Sequence, residues 1–484
     1  MADTRRVVFT EMPGKALDVM QDFDVSRLAY EETEYRVDGT ALSYELKGER
    51  GEDGKWEVTE GPTAPFRTRM VVRRPADPEA FSGTVVVEWH NVSAGIDAAP
   101  DWGFLHRHLA AQGHAFVGVS AQKAGIDGGG IVQGGPELHL KVLAPERYAE
   151  LEHPGDAWAF DMFTQVAELL RGPGAENPLR GLEPERLIAA GESQSAAALV
   201  TYINAVDPHA RVFDGYFVHG RPGAGLAIDG VFLPSAARVG TGRTEISDTA
   251  VEIASKGERL RDDVRVPVLV LQSETDVIVL GSGRTEQPDS DRIRLWEIAG
   301  AAHADTYTIS GSRHDDGTLG GERLAELLRP TRTLLIGNTE KPVNSGPQQH
   351  YVAQAAMKHL VDWAAGGPPP PNAPRLARTG DETAPYELDE HGNALGGIRT
   401  PWVDVPTAAL SGLGQAGESF AFLFGTTEPF DEAALAVLYP DGQAEYLQRF
   451  TAALDATIEA GFLLGEDRDE IIEIARHSFP LVVA

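Results

Sequence analysis

The feature that most restricts this chain is an alternation. Short apolar, β-branched runs take turns with stretches of helical spacing. The runs lie at residues 69–72, 84–89, 115–120, 187–190, 212–218, 266–271 and 294–298. Between them, Trp102, Leu105 and Leu109 repeat with helical spacing before Gly113. Residues 156–171 repeat it again before Gly172-Pro173-Gly174, and 195–205 a third time. A strand apolar at every position is buried on both faces, and parallel neighbours need a crossover helix between them. The pattern therefore predicts an α/β fold with a mostly parallel central sheet flanked by helices.

The remaining segments fall around that core. Residues 1–64 are charged and glycine-containing, with alternating pieces at 40–46 and 56–58, and predict a strand-rich N-terminal extension. The core itself is expected over 65–367. Residues 221–262 and 304–345 are too long for simple connections and are expected to be lid insertions. Phe232, Leu233 and Tyr307 in those segments point to a mid-sized, partly apolar substrate. A helix predicted at 351–365 ends before Gly366-Gly367 and a four-proline run. Residues 368–484 then read as a proline-rich spacer and a helical C-terminal extension. Leu435, Leu438, Phe450, Leu454 and Phe462-Leu463-Leu464 give that extension apolar faces that must be packed on the core.

Charge and composition narrow the function. Lys+Arg number 42 and Asp+Glu 73, a formal charge of −31. Nucleic acid and anionic membranes both need basic patches, so neither is an expected partner. No apolar run approaches the ~20 residues of a membrane span. The first residues also lack an apolar stretch of signal-peptide length, so a cytoplasmic protein is expected. With 0 cysteines there is no thiol nucleophile and no Cys-ligated metal. Asp127-Gly128-Gly129-Gly130 lacks the lysine and following helix of a phosphate loop, and no HExxH or EF-hand spacing occurs. No cofactor and no metal are expected, and the oligomeric state is left open.

The sharpest local signal is Leu187-Ile188-Ala189-Ala190-Gly191-Glu192-Ser193-Gln194-Ser195-Ala196-Ala197. A predicted strand runs straight into a predicted helix with Ser193 at the corner, the setting of a nucleophile elbow. A serine cap at an ordinary strand–helix junction would give similar letters. Gly118-Val119-Ser120 also looks alike, but a Gly-rich loop (123–135) follows it, so Ser120 is read as structural. What separates Ser193 is the company it keeps. A serine needs a base, and the base needs an orienting acid. Asp276 follows the run 266–271 and His303 follows the run 294–298, giving the chain order serine, acid, histidine. Glu274 lies in the same turn as Asp276 and is the reserve acid. One oxyanion donor is expected from Gln194 N–H. The second is expected from the loop after 84–89, through Asn91 or Val92. His90, which ends that run, and Glu192, beside the serine, are the expected substrate contacts.

These residues resemble the α/β-hydrolase superfamily, and more narrowly the bacterial "alpha/beta hydrolase domain" family of sequence-assigned serine esterases. The resemblance rests on Val87-Glu88-Trp89-His90-Asn91-Val92-Ser93, Gly191-Glu192-Ser193-Gln194-Ser195-Ala196 and Gln272-Ser273-Glu274-Thr275-Asp276. Further on it rests on Leu295-Trp296-Glu297-Ile298-Ala299-Gly300 with His303, Asn344-Ser345-Gly346-Pro347, and Gly396-Gly397-Ile398-Arg399-Thr400-Pro401-Trp402. It covers nearly the whole chain. It departs from the superfamily pattern at Ser195, where the elbow has a glycine. The resemblance implies an α/β-hydrolase fold, Ser193 as nucleophile, His303 as base and an acid in the 274–276 turn. The expected activity is hydrolysis of a small-molecule carboxylic ester through an acyl-enzyme. A lactonase, amidase or acyltransferase would use the same triad. A catalytically silent fold used for binding would be expected to have lost a triad member, and none is lost.

Overall fold

The computed structural model describes residues 7–129, 137–172, 177–229, 257–334, 337–417 and 420–480. The chain forms two compact units. The first takes Met1–Val268, Gly281–Ile293 and Leu360–Gly367; the second takes Leu269–Leu280, Arg294–His359 and Pro368–Ala484.

The first unit is built on strands β1 (Val8–Met12), β2 (Tyr30–Leu46), β3 (Val58–Pro75), β4 (Thr84–Trp89), β5 (Ala115–Val119), β6 (Arg186–Glu192) and β7 (Gly215–His219). Their order in the sheet is β1-β2-β3-β5-β4-β6-β7. The pairs β1–β2, β2–β3 and β3–β5 are antiparallel. The pairs β4–β5, β4–β6 and β6–β7 are parallel. β4, β5 and β7 are buried at every position, which is why they read as unbroken apolar runs. The helices Pro100–Ala111 and Ala159–Leu170 bury most of their residues. Register pairs Trp89 with Val119, Glu88 with Ala190 and Glu192 with His219. The carboxyl ends of four parallel strands therefore share one edge, where ligands of such sheets bind.

The N-terminal extension proves to be a long hairpin. β2 and β3 run 17 and 18 residues, far beyond the two short alternating pieces visible in the sequence. Buried charges mask their pattern. Arg69 Nε lies 2.6 Å from Glu34, while Arg73 pairs with Asp18 at 2.6 Å and Glu32 at 2.9 Å. A buried charge persists only when paired in this way.

The second unit carries most of β8 (Val268–Ser273) and β9 (Ile293–Ile298), which are neighbours. The C-terminal helices Glu432–Leu438, Gln443–Glu459 and Arg468–His477 belong to it as well. Trp296 of β9 is fully buried. Its Nε1 donates to Pro371 O at 2.9 Å, and its ring meets Phe462 edge-on at 5.2 Å. Tyr351 stacks on Trp402 and donates its hydroxyl to Glu470 at 2.7 Å.

Two expectations change. The loop after Ser120 begins with a short helix, Lys123–Asp127. Tyr307 is no lid residue: it is buried, stacked on His350 at 3.8 Å, with its hydroxyl donating to Asp315 at 3.1 Å. An aromatic ring with a satisfied hydroxyl is a core residue of this unit. Of the other lid segment, Phe232 and Leu233 lie outside the described residues. Among the described residues, no helix is long and apolar enough to cross a membrane.

Candidate active site

β6 ends at Glu192 and the helix Gln194–Thr201 begins two residues later. Ser193 makes the whole corner, with φ 60° and ψ −116°. Three other described non-glycine residues have positive φ. Ala29 and Arg211 sit in the ordinary left-handed well (ψ 35° and 36°), whereas Ser193 lies outside it. Such a conformation costs ~1–3 kcal/mol and persists only where its surroundings over-determine it. Here Ser193 N–H donates to His219 O at 2.8 Å, and Ser193 O accepts from Ala197 N–H at 3.1 Å. Gly191 permits the close approach of strand and helix. A Cβ there would stand 2.9 Å from both the carbonyl carbon and oxygen of Ser195. Ser193 is half-buried, and Ser195 Oγ is buried without a partner among the described residues.

Gln194 N–H opens the helix, and the first N–H groups of a helix have no partner within it. The loop after β4 separates the two other donor candidates. Asn91 N–H donates to Ala98 O at 2.8 Å and is spent. Val92 N–H makes no hydrogen bond among the described residues. Asn91 contributes its side chain instead: Nδ2 donates to Glu192 O at 3.0 Å and to Glu192 Oε2 at 3.3 Å. The two expected substrate contacts are both occupied by protein. Glu192 is buried against Asn91, and His90 is buried with Nδ1 2.9 Å from Asp97. The His90 ring packs so closely on β5 that a Cβ at Gly118 would meet its Nε2.

Several residues at this edge escaped the sequence reading. Gln122 accepts from Trp89 Nε1 at 3.0 Å and from Gln194 Nε2 at 2.7 Å, tying the ends of β4 and β6 together. Glu88 accepts from Asp101 N–H at 2.9 Å and Trp102 N–H at 2.8 Å, capping a helix whose own cap residue, Ala99, cannot. Burial, with the Asp101 charge beside it, holds the Glu88 carboxyl well above the usual range. Asp101 in turn sits 2.8 Å from Nδ1 of His219, whose carbonyl accepts from Ser193 N–H. No short spacing in the sequence links these residues.

In the second unit, Asp276 and His303 meet, with Asp276 Oδ1 2.5 Å from His303 Nδ1. Both are buried. Asp276 is held by a reciprocal cap at the start of the helix Glu274–Ile278. Its Oδ2 accepts from Ser273 N–H at 2.6 Å and Ser273 Oγ at 2.8 Å. Ser273-Glu274-Thr275-Asp276 carries that capping signature in its letters. His303 N–H donates to Thr275 Oγ1 at 3.2 Å. Glu274 points elsewhere. It accepts from Gly300 N–H at 2.6 Å, Gly412 N–H at 2.8 Å and Ser411 Oγ at 3.2 Å. Burial pushes its carboxyl up to about 7 against the pull of those donors.

The first unit thus offers a strained, half-buried serine beside helix N–H groups. The second offers a histidine oriented by a carboxylate. A nucleophile, a base and an orienting acid are the parts that acyl transfer requires. Among the described residues, no group of three or more His, Asp or Glu side chains could hold a metal ion.

A search of curated proteins returns no match. Among solved structures, the chain is similar to an α/β serine hydrolase without lid from Xanthomonas campestris, at 16% identity and TM-score 0.26, over 53% of this chain and 83% of that one. It is similar to an esterase of Pyrococcus furiosus, at 9% identity and TM-score 0.31, over 58% and 85%. It is also similar to an acetyl xylan esterase from Paenibacillus sp. R4, at 12% identity and TM-score 0.30, over 60% and 82%. Likeness at that level identifies no substrate. The sequence match is the broader finding: residues 3–473 fit the family described as "Alpha/beta hydrolase domain", and the chain belongs to that family.

Proposed function

We propose that this protein is a serine hydrolase that cleaves carboxylic esters through an acyl-enzyme. The observation that carries the reading is the backbone of Ser193, a non-glycine residue held at φ 60° and ψ −116° between strand and helix. Strain of that kind is kept where it presents a reacting group. Ser193 Oγ attacks the ester carbonyl. His303 takes its proton and returns it to the leaving alcohol. Asp276, on Nδ1, fixes the tautomer and stabilises the imidazolium. The developing oxyanion accepts from Gln194 N–H and Val92 N–H, and water then repeats the sequence to release the acid.

The test is a fluorophosphonate probe with peptide mapping, run beside chromogenic esters of increasing acyl length. The adduct is expected on Ser193, and Ser193→Ala is expected to abolish both labelling and turnover. An adduct on Ser120, or full turnover by Ser193→Ala, would overturn the assignment.

A further inference from the structure

The loop that carries Val92 is fastened more heavily than its closure requires. Asn91 and Ala98 already join its ends through a two-way backbone bridge, at 2.8 and 3.0 Å. Gly95 N–H turns back to Val92 O at 2.9 Å, and Ser93 N–H to Asn91 Oδ1 at 2.9 Å. Yet beside that bridge sits Asp97, with its carboxylate buried. Its Oδ2 receives donors from three strands: Arg69 Nη1 of β3 at 3.1 Å, His90 Nδ1 at the end of β4 at 2.9 Å, and Ser120 Oγ at the end of β5 at 2.5 Å. Arg69 is itself anchored, donating to Leu17 O at 2.6 Å and pairing with Glu34. All four members of the cluster are at least nine-tenths buried.

Burying an ion pair carries a heavy desolvation penalty, and apolar packing of the same volume is often as stable. Three donors from three strands converging on one oxygen of a buried carboxylate do fix geometry, because each restricts the others, and Oδ1 stays buried without a partner among the described residues. The geometry fixed here is that of the loop bearing Val92 N–H. Burial pushes the Asp97 carboxyl up, but His90, Arg69 and Ser120 together hold it below the usual carboxylate range, so it stays an acceptor.

We propose that Asp97, gripped by His90, Ser120 and Arg69, is the positioning residue of the oxyanion hole and sets where Val92 N–H points. His90 thereby acts through Asp97 and touches no substrate. The inference rests on the reading of Ser193 and Val92 given above.

An oxyanion donor acts in the transition state, so its displacement lowers kcat and leaves KM. Deleting one such donor costs about 10²–10³ in kcat, and misaligning it is expected to cost about 10- to 100-fold. Asp97→Asn and His90→Leu should both show that loss, with KM within about twofold. Affinity for a trifluoromethyl ketone should fall by the same factor. His90→Asn places an amide donor where Nδ1 stood and should recover most of the turnover. A role confined to packing would leave Asn and Leu alike at position 90. Unchanged kcat in Asp97→Asn, or equal turnover in the two position-90 variants, would overturn the proposal. Should Asp97→Asn fail to fold, the position-90 pair decides. Should that pair also fail, Ser120→Ala decides: it deletes a single hydroxyl, and unchanged kcat there would overturn the proposal. Fluorophosphonate labelling of the wild type keeps the two readings apart. Unlabelled Ser193 fails the nucleophile assignment, whereas labelled Ser193 with full turnover in Asp97→Asn fails this inference alone.

Discussion

Asp276 Oδ1 lies 2.5 Å from His303 Nδ1, while the other oxygen of Asp276 is committed to Ser273. The carboxylate therefore reaches the imidazole from a fixed base. Glu274, two residues earlier, spends both oxygens on Gly300, Gly412 and Ser411. Asp276→Asn would turn an amide toward Nδ1 and favour the tautomer that cannot act as base, for a loss of roughly 10⁴ in kcat. Glu274→Gln should lose far less. Parallel kcat measurements at saturating substrate check this, and a reversed order would hand the orienting role to Glu274.

Glu274 makes a second prediction, in stability. Burial raises its carboxyl from 4.5 to about 7, so between those values the folded state binds more protons than the unfolded one. Stability from this group is fully present below about 4.5 and is lost as pH rises through about 7. Urea unfolding of wild type and Glu274→Gln should therefore show a wild-type advantage that shrinks from pH 5 to pH 8, by on the order of 1–3 kcal/mol. A difference that stays constant over that range would mean that Glu274 does not titrate there.

The corner around Ser193 makes opposite predictions for its two small neighbours. Gly191→Ala would force a methyl against the Ser195 carbonyl, 2.9 Å away, and move the helix that carries Gln194 N–H. A thermal shift corresponding to about 1–3 kcal/mol is expected, together with loss of esterase turnover. Ser195→Ala instead removes a buried hydroxyl that has no partner among the described residues. Stability should hold or rise by about 1 kcal/mol, since an unpaired buried polar group is a cost. Thermal denaturation and turnover of the two variants check both signs.

The corner was legible because its demands are local. Strand, small residue, serine and helix follow one another within a dozen residues, and the parallel strands announce themselves as unbroken apolar runs. The long hairpin was not legible, because Glu34, Arg69 and Arg73 occupy buried positions that pattern reading assigns to solvent. The engagement of Asn91 N–H was hidden too, since it comes from a backbone bridge to Ala98 that no side chain signals. His90 is expected from its place at a strand end to touch substrate. Its partner Asp97, seven residues on, became visible only once the loop had closed.

The C-terminal segment gives the last prediction. Residues 368–484 share one compact unit with 269–280 and 294–359. Several of their contacts reach the turn that carries Glu274 and Asp276. Gly412 N–H and Ser411 Oγ donate to Glu274, Tyr386 donates its hydroxyl to Glu274 O at 2.8 Å, and Gly412 O accepts from Thr275 Oγ1 at 2.6 Å. Thr275 Oγ1 is also the acceptor for His303 N–H. Ending the chain at Gly367 would remove every one of those C-terminal partners. It would also uncover Trp296, whose ring packs on Phe462 and whose indole N–H donates to Pro371 O. An aromatic ring of that size buries ~150–250 Å², and exposing it invites aggregation. The truncated protein should be insoluble, or soluble without esterase turnover, as read by sedimentation and by the chromogenic assay. A soluble, fully active truncation would show that the 274–276 turn holds His303 without the C-terminal segment.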